Sequence, residues 1–304
     1  MASNVAALDC GTNSTRLLIT DEHGVTLERV MTITRLGQGV DESGRLSEEA
    51  TERVFAALSR YRVLMDEYDV TTASMACTSA VRDVSNGKAF LDKAHEILRC
   101  RVEVLSGDQE ASLSFAGAVV NAPEPKEPRL VVDIGGGSSE LVLEVDGRLE
   151  SVSLQLGCVR LTERCLLSDP PTEQNLKAAK SAIAEQFGRI EEAMPSLGLQ
   201  PRVEIIGLAG TVASLVLLEQ QLTTYDRDQV HHQVIGREVV KRWIEILASE
   251  TNAQRRQHVG MEPGRADVLL GGLLVLDAIM ERVKSTELLT SESDILDGLA
   301  ASLR

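Results

Sequence analysis

No run of apolar residues in this chain is long enough to cross a bilayer. The longest candidate, Val268 to Ile279, is interrupted by Gly271, Gly272 and Asp277 and reads as a buried helix. The opening, Met1-Ala2-Ser3-Asn4, leads straight into strand-like sequence, so no signal or transit segment is expected. Cysteine pairing signals are missing as well. The five cysteines (Cys10, Cys77, Cys100, Cys158, Cys165) are odd in number and have no CxxC spacing. That argues against a zinc site and fits a reducing, cytoplasmic setting. Positive charge is scarce: 31 Lys and Arg face 46 Asp and Glu, a net charge of −15. Such a balance excludes a nonspecific nucleic-acid binder. It also means that an anionic substrate would need bound metal and a few local cations to offset global repulsion. Arg99 with Arg101, Arg160 with Arg164, and Arg237 with Lys241 and Arg242 are the local clusters; each reads first as a solvated face.

What the chain does have is a duplication. Asp9-Cys10-Gly11-Thr12-Asn13-Ser14-Thr15-Arg16-Leu17-Leu18-Ile19 aligns without a gap on Asp133-Ile134-Gly135-Gly136-Gly137-Ser138-Ser139-Glu140-Leu141-Val142-Leu143, 124 residues later. Each copy follows a short apolar run, leads into another, and meets a polar turn (Asp21 to Gly24; Asp146-Gly147). This predicts strand, Gly/Ser/Thr hairpin, strand, twice. Glycines let backbone approach a ligand, and clustered N–H and hydroxyl groups cradle an anion. An Asp at the strand end can hold a cation beside it. One aligned position differs in sign, Arg16 against Glu140, as a phosphate-plus-metal site requires.

With 304 residues and 43% hydrophobic content, two α/β domains are affordable in core volume. Past the first hairpin, Glu28 to Thr34 is expected as a strand, Leu36 to Val40 as a loop, and Ser47 as the cap of a helix. Thr72 to Cys77 is expected as a strand carrying the motif Thr78-Ser79-Ala80-Val81-Arg82-Asp83 at its end. A helix from about Asn86 to Leu98, a strand to Leu105 and a helix opening at Ser106-Gly107-Asp108-Gln109-Glu110-Ala111 follow. Asn121 to Pro128 has three prolines in eight residues and reads as a linker. The second half repeats the pattern, with helices near Thr172 to Met194, Ser214 to Gln221, Arg237 to Ala248, Ala253 to Gln257 and Arg265 to Val283. Gly207-Leu208-Ala209-Gly210-Thr211 follows a strand and opens a helix, so its N–H groups can face phosphate. Leu288 to Thr290 reads as a strand, and Asp294-Ile295-Leu296-Asp297-Gly298 lies in a closing helix. His231-His232 is expected to be surface or packing, because neighbours on a regular element point apart.

The paired hairpins resemble the phosphate motifs of the acetate kinase, sugar kinase, Hsp70 and actin superfamily. Taken with the other motifs, which together cover essentially the whole chain, the wording is similar to the exopolyphosphatase and guanosine pentaphosphate phosphohydrolase family. Thr12 and Ser139 depart from the usual Ser and Thr but keep the hydroxyl, and Gln109 stands where an acid is common. The resemblance implies an α/β fold of two actin-like (ribonuclease H-like) lobes with an interlobe catalytic cleft and no additional C-terminal helical domain. The first lobe would be 1–122, completed by the helix at 293–304, and the second 123–292. It implies a hydrolase that releases terminal orthophosphate from inorganic polyphosphate, or removes the 5′ γ-phosphate of the stringent-response nucleotide guanosine pentaphosphate. A superfamily small-molecule kinase and a non-enzymatic nucleotide sensor are the distant alternatives. A homodimer is implied, with no nucleic-acid or membrane partner.

Residue roles follow from the same resemblance. Glu110 is the expected catalytic base; its structural alternative is an acid favoured at a helix N-terminus. Asp133 and Glu140 are the expected Mg²⁺ or Mn²⁺ ligands. Asp9 either joins them or is a buried Asp satisfying hairpin N–H groups. Asn13, Arg16 and Arg82 would bind phosphate oxygens, and the alternative for Arg82 is a salt bridge to Asp83 or Glu110. Gly11, Thr12 and Ser14 complete the first phosphate loop, and Gly135, Gly136, Gly137 and Ser138 form the second. Gly210 and Thr211 are expected near a more distal phosphate or a nucleotide.

Overall fold

The strand β1 (Asn4–Cys10) is apolar at both of its alternating sets of positions, the pattern of a strand covered on two faces. It lies at the centre of a five-stranded sheet of order β3-β2-β1-β4-β5. The structure, a computed structural model, describes residues 4–77, 79–82, 84–120, 122–200 and 202–304. After β1 come β2 (Ser14–Thr20), β3 (Thr26–Ile33), α1 (Val40–Ser43), α2 (Glu48–Glu67), β4 (Val70–Cys77), α3 (Ser79–Arg82), α4 (Gly87–Leu98), β5 (Arg101–Val104) and α5 (Gly107–Val119). A second sheet follows, built from β6 (Arg129–Ile134), β7 (Ser139–Val145), β8 (Arg148–Leu154), α6 (Cys158–Cys165), α7 (Glu173–Ala193), β9 (Glu204–Leu208), α8 (Ala209–Glu219), α9 (Arg227–Val230), β10 (Val234–Gly236), α10 (Arg237–Ser249), α11 (Asn252–Arg255), α12 (Leu269–Arg282) and β11 (Glu287–Thr290). The helix α13 (Ile295–Ser302) closes the chain, and a 3₁₀ turn spans Pro195–Leu199.

The chain divides into two compact units, Met1–Gly117 with Asp294–Arg304, and Ala118–Ser293. In the first, Ala6, Leu8 and Cys10 pack with Leu17 and Ile19 against α2 and α4. Val5 and Ala7, on the opposite face, pack with Leu18 against Ile295, Leu296 and Leu299 of α13. By strand alternation Asp9 falls on the α13 face. Two glycines let α13 approach α5: a Cβ on Gly117 would lie 1.8 Å from the Asp294 carbonyl oxygen, and one on Gly298 would lie 2.1 Å from that of Leu113.

The second sheet has the order β10-β11-β9-β6-β7-β8. Its β8-β7-β6-β9-β11 portion reproduces the connectivity and directions of β3-β2-β1-β4-β5, with β10 added antiparallel at the edge. The sequence repeat is therefore a repeat of topology. Leu130, Val132 and Ile134 of β6 face the larger core, formed with α7, α8, α10 and α12. Among the described residues no helix is long and apolar enough to cross a membrane.

Two expectations are corrected. Arg82 does not end a strand; it is the last residue of the short helix α3, while Thr78 and Asp83 of that motif lie outside the described residues. His231 and His232 do not point apart. Their rings stack at a centroid distance of 3.6 Å. His232 has φ of 59°, a left-handed conformation that breaks the alternation assumed for neighbours.

Candidate active site

In the first sheet β1, β4 and β5 run parallel, so their carboxyl ends share one edge. The first hairpin, the Arg82 segment and the Glu110 segment emerge there in turn. In the second sheet the parallel strands β6, β9 and β11 release the second hairpin, the Gly207 motif and the Asp294 segment at the equivalent edge. Carboxyl ends of parallel strands are where open α/β sheets bind ligands, because loops and helix N-termini converge on them. The described parts of these motifs thus follow the carboxyl ends of parallel strands.

The two hairpins share their internal geometry. Gly11 N donates to Ser14 O at 2.9 Å, and Gly135 N to Ser138 O at 3.0 Å. Asp9 stands opposite Arg16, and Asp133 opposite Glu140, in the same register. Chemistry diverges at that one position. In the first hairpin, Arg16 Nε and Nη2 both donate to Asp9 Oδ2, at 2.9 and 2.7 Å. Its Nη1 pairs with Asp294 Oδ2. Each of the three Arg16 guanidinium nitrogens thus meets a carboxylate. Burial raises the Asp9 carboxyl above its ordinary pKa despite the opposing pull of Arg16. Burial also works against the charge on Asp294, yet Arg16, Arg29 and the Leu296 N–H together hold its pKa below the usual value.

In the second hairpin two carboxylates oppose each other. Asp133 is 9% exposed and Glu140 2%, and the Ser153 hydroxyl donates to Glu140 Oε1 at 2.8 Å. Like charges directly opposite on adjacent strands are destabilising unless a cation lies between them. Among the described residues no three His, Cys, Asp or Glu side chains converge as a closed metal cage. Two carboxylates with neighbouring hydroxyls suit a hard cation such as Mg²⁺, which keeps water and phosphate oxygens in its remaining positions. In the first hairpin, Asp9 Oδ1 and Asn13 Nδ2 are buried and have no hydrogen-bond partner among the described residues.

Around these carboxylates the second loop is held from behind. Cys158 N donates to Gly135 O, and Val159 N and Arg160 N to Gly136 O, at 2.9 to 3.1 Å. These are the free N–H groups of the α6 N-terminus, used here to fix the loop carbonyls. The contact requires Gly157, where a Cβ would fall 2.2 Å from Gly136 O. The first loop is fixed differently: Gly37 N donates to Thr12 O, and Thr34 N and Arg35 N to Asn13 O.

The Gly207 motif adjoins the second loop, with Thr211 Oγ1 donating to Ile134 O at 3.4 Å. Ala209, at the start of α8, has φ of 65°, and a Cβ on Gly210 would lie 1.8 Å from the Arg265 guanidinium. Arg265 is 6% exposed, so a buried cation overlies the N-terminus of α8. Sequence reading passed over it. Its signal was a polar turn, Glu262-Pro263-Gly264-Arg265, immediately before the apolar α12.

Glu110 occupies the first turn of α5, 8% exposed. Ser106 Oγ accepts from Gln109 N at 3.2 Å and Gln109 Oε1 accepts from Ser106 N at 2.9 Å, a reciprocal capping box. Gln109 therefore has a structural task, and Asp108 and Glu110 are the two acids in the first turn of α5. Arg82 Nη1 donates to Leu105 O at 3.2 Å, one residue before that cap, so Arg82 lies beside the turn bearing Glu110.

A profile of the Ppx/GppA phosphatase family matches residues 18–303. The chain is 41% identical over 320 residues to exopolyphosphatase 2 of Mycobacterium tuberculosis, covering 99% of this chain and 98% of that one. A solved structure of an exopolyphosphatase-like protein is 33% identical with a TM-score of 0.91 and 98% of both chains covered. The Aquifex aeolicus PPX-GPPA enzyme is 30% identical with a TM-score of 0.81, covering 99% of this chain and 100% of that one.

Proposed function

This chain belongs to the Ppx/GppA phosphatase family, and from that premise we propose that it is an exopolyphosphatase, a phosphoanhydride hydrolase that releases terminal orthophosphate from inorganic polyphosphate. The observation that carries the reading is the opposed pair Asp133 and Glu140, set on a hairpin whose twin has Asp and Arg in the same register. A buried pair of carboxylates beside a Gly/Ser loop supports a cation held against phosphate oxygens. Mg²⁺ or Mn²⁺ bound there would neutralise charge on the phosphates and stabilise the leaving oxygen.

The chain's own residues supply the remaining work. Glu110 accepts the proton of the attacking water. Backbone N–H groups of Gly135 to Ser138, with the Ser138 hydroxyl, hold the oxygens of the phosphoryl group. Arg82 and the amide of Asn13 bind phosphate oxygens, and Arg265 with the α8 N-terminus holds a further phosphate. A cytoplasmic setting suits five cysteines that form no disulfide among the described residues, and a homodimer is expected, to be checked by light scattering. Phosphate release from polyphosphate, guanosine pentaphosphate and ATP in Mg²⁺ tests the function. Turnover of polyphosphate is the expected result; preference for guanosine pentaphosphate would make the protein a nucleotide phosphohydrolase, and no release from any of the three would overturn hydrolysis.

A further inference from the structure

Given the phosphohydrolase reading above, we propose that Arg16 is a positioning residue for Asp9, and that with Asp294 it anchors the first hairpin to the helix pair that carries Glu110. Arg16 Nε and Nη2 converge on a single oxygen, Asp9 Oδ2, at 2.9 and 2.7 Å, while Nη1 meets Asp294 Oδ2. Three of the five guanidinium N–H groups are directed at carboxylates, and the Nε/Nη2 edge, the one suited to bidentate recognition of a phosphate, is taken up by Asp9. The one-sided grip has a second effect. It fixes the Asp9 carboxylate while leaving Oδ1 buried and without a hydrogen-bond partner among the described residues.

Asp294 is itself held on every side. Its Oδ1 accepts from Leu296 N at 2.9 Å and faces Arg29 Nη1 at 3.8 Å. Its backbone N donates to Asp297 Oδ2 at 2.8 Å, and Asp297 pairs with Arg29 Nη2. The Asp294 carbonyl lies where a side chain at Gly117 would be, so α5 and the start of α13 are in backbone contact. Asp294 therefore touches both the helix that bears Glu110 in its first turn and the arginine that holds Asp9. A shift of either is transmitted through one carboxylate. Displacements of about 1 Å in such a constellation cost on the order of 10²-fold in rate.

The test compares Arg16→Met, Arg16→Lys, Asp9→Asn and the double variant Asp9→Asn/Arg16→Met in the full-length protein. It measures kcat and KM in Mg²⁺, together with calorimetric binding of inorganic triphosphate in a Glu110→Gln background. Arg16→Met is expected to lower kcat about 10²-fold while KM and triphosphate affinity stay within about threefold. Arg16→Lys should recover part of the loss. The double variant should be no slower than Asp9→Asn alone, because a residue acting through another loses its effect when that other is gone. A tenfold or greater weakening of triphosphate binding in Arg16→Met would show a phosphate ligand and overturn the proposal, as would wild-type kcat or losses that multiply in the double variant. If Arg16→Met does not fold, Asp294→Asn is scored by the same criteria. Should the wild-type protein hydrolyse none of polyphosphate, guanosine pentaphosphate and ATP, the site reading fails, and triphosphate calorimetry alone decides the role of Arg16.

Discussion

Two aligned positions, Arg16 and Glu140, show how one side chain converts a duplicated frame into two different devices. Opposite an Asp, arginine closes an ion pair, whereas glutamate sets a second carboxylate in register with the first. Function and stability should then respond to Glu140 with opposite signs. Glu140→Gln removes a like-charge contact, so in metal-free buffer it should raise stability by about 0.2–1 kcal/mol. The same change should raise the Mg²⁺ concentration needed for half-maximal activity. Thermal unfolding in chelator and a metal titration of the rate provide the two readings, and a metal titration that overlays wild type would place the cation elsewhere. At Glu110 the expectation is simpler. Glu110→Gln should lower kcat by about 10²- to 10⁴-fold with the fold intact, the range for loss of a positioned base. Near wild-type turnover would remove Glu110 from the chemistry.

At the scale of elements, what could be read in advance was whatever the sequence states locally. Both hairpins, the capped α2, and the turns opening α5 and α8 were legible because Gly, Ser and alternating apolar residues define them within a dozen positions. The α6 helix was not, although Gly157 is indispensable to it, because its reason for existing is a contact with Gly136 some twenty residues earlier. Arg265 and Asp294 were overlooked as site residues for the same reason: each is defined by a partner remote in sequence. Gly157→Ala should push α6 away from the second loop, costing roughly 1–3 kcal/mol in urea unfolding, as overpacking does, with a larger proportional loss of activity. The stacked histidines make a separate point. Burial, reinforced by the charges of Arg227 and Arg129, lowers the pKa of His232 below its ordinary 6.5. The unfolded chain therefore takes up a proton first on acidification, so this residue's contribution to stability is present above pH 6.5 and is lost as pH falls toward the lower folded value. His232→Asn should flatten the stability profile across that window; an unchanged profile would assign the acid sensitivity to other groups.

For the molecule as a whole, net charge and composition narrowed the function only by exclusion, whereas the order of motifs on strand ends specified it. The return of Asp294–Arg304 to the first unit bears on something else, the order in which the protein is completed as it is made. The second unit is contiguous, Ala118–Ser293, and every strand of its sheet is available once β11 has been synthesised. The first unit has all five strands far earlier but lacks the cover for Val5, Ala7 and Leu18 and the acid that meets Arg16 until Asp294–Arg304 has been made. Loops closed over so long a separation form late. In refolding followed by pulsed hydrogen exchange, amides of β6 and β9 should gain protection before those of β1 and β2; the reverse order would mean that the first sheet stands without α13. On the ribosome the same logic makes the earlier-made unit the later to mature, so the first hairpin waits for the segment Asp294–Arg304.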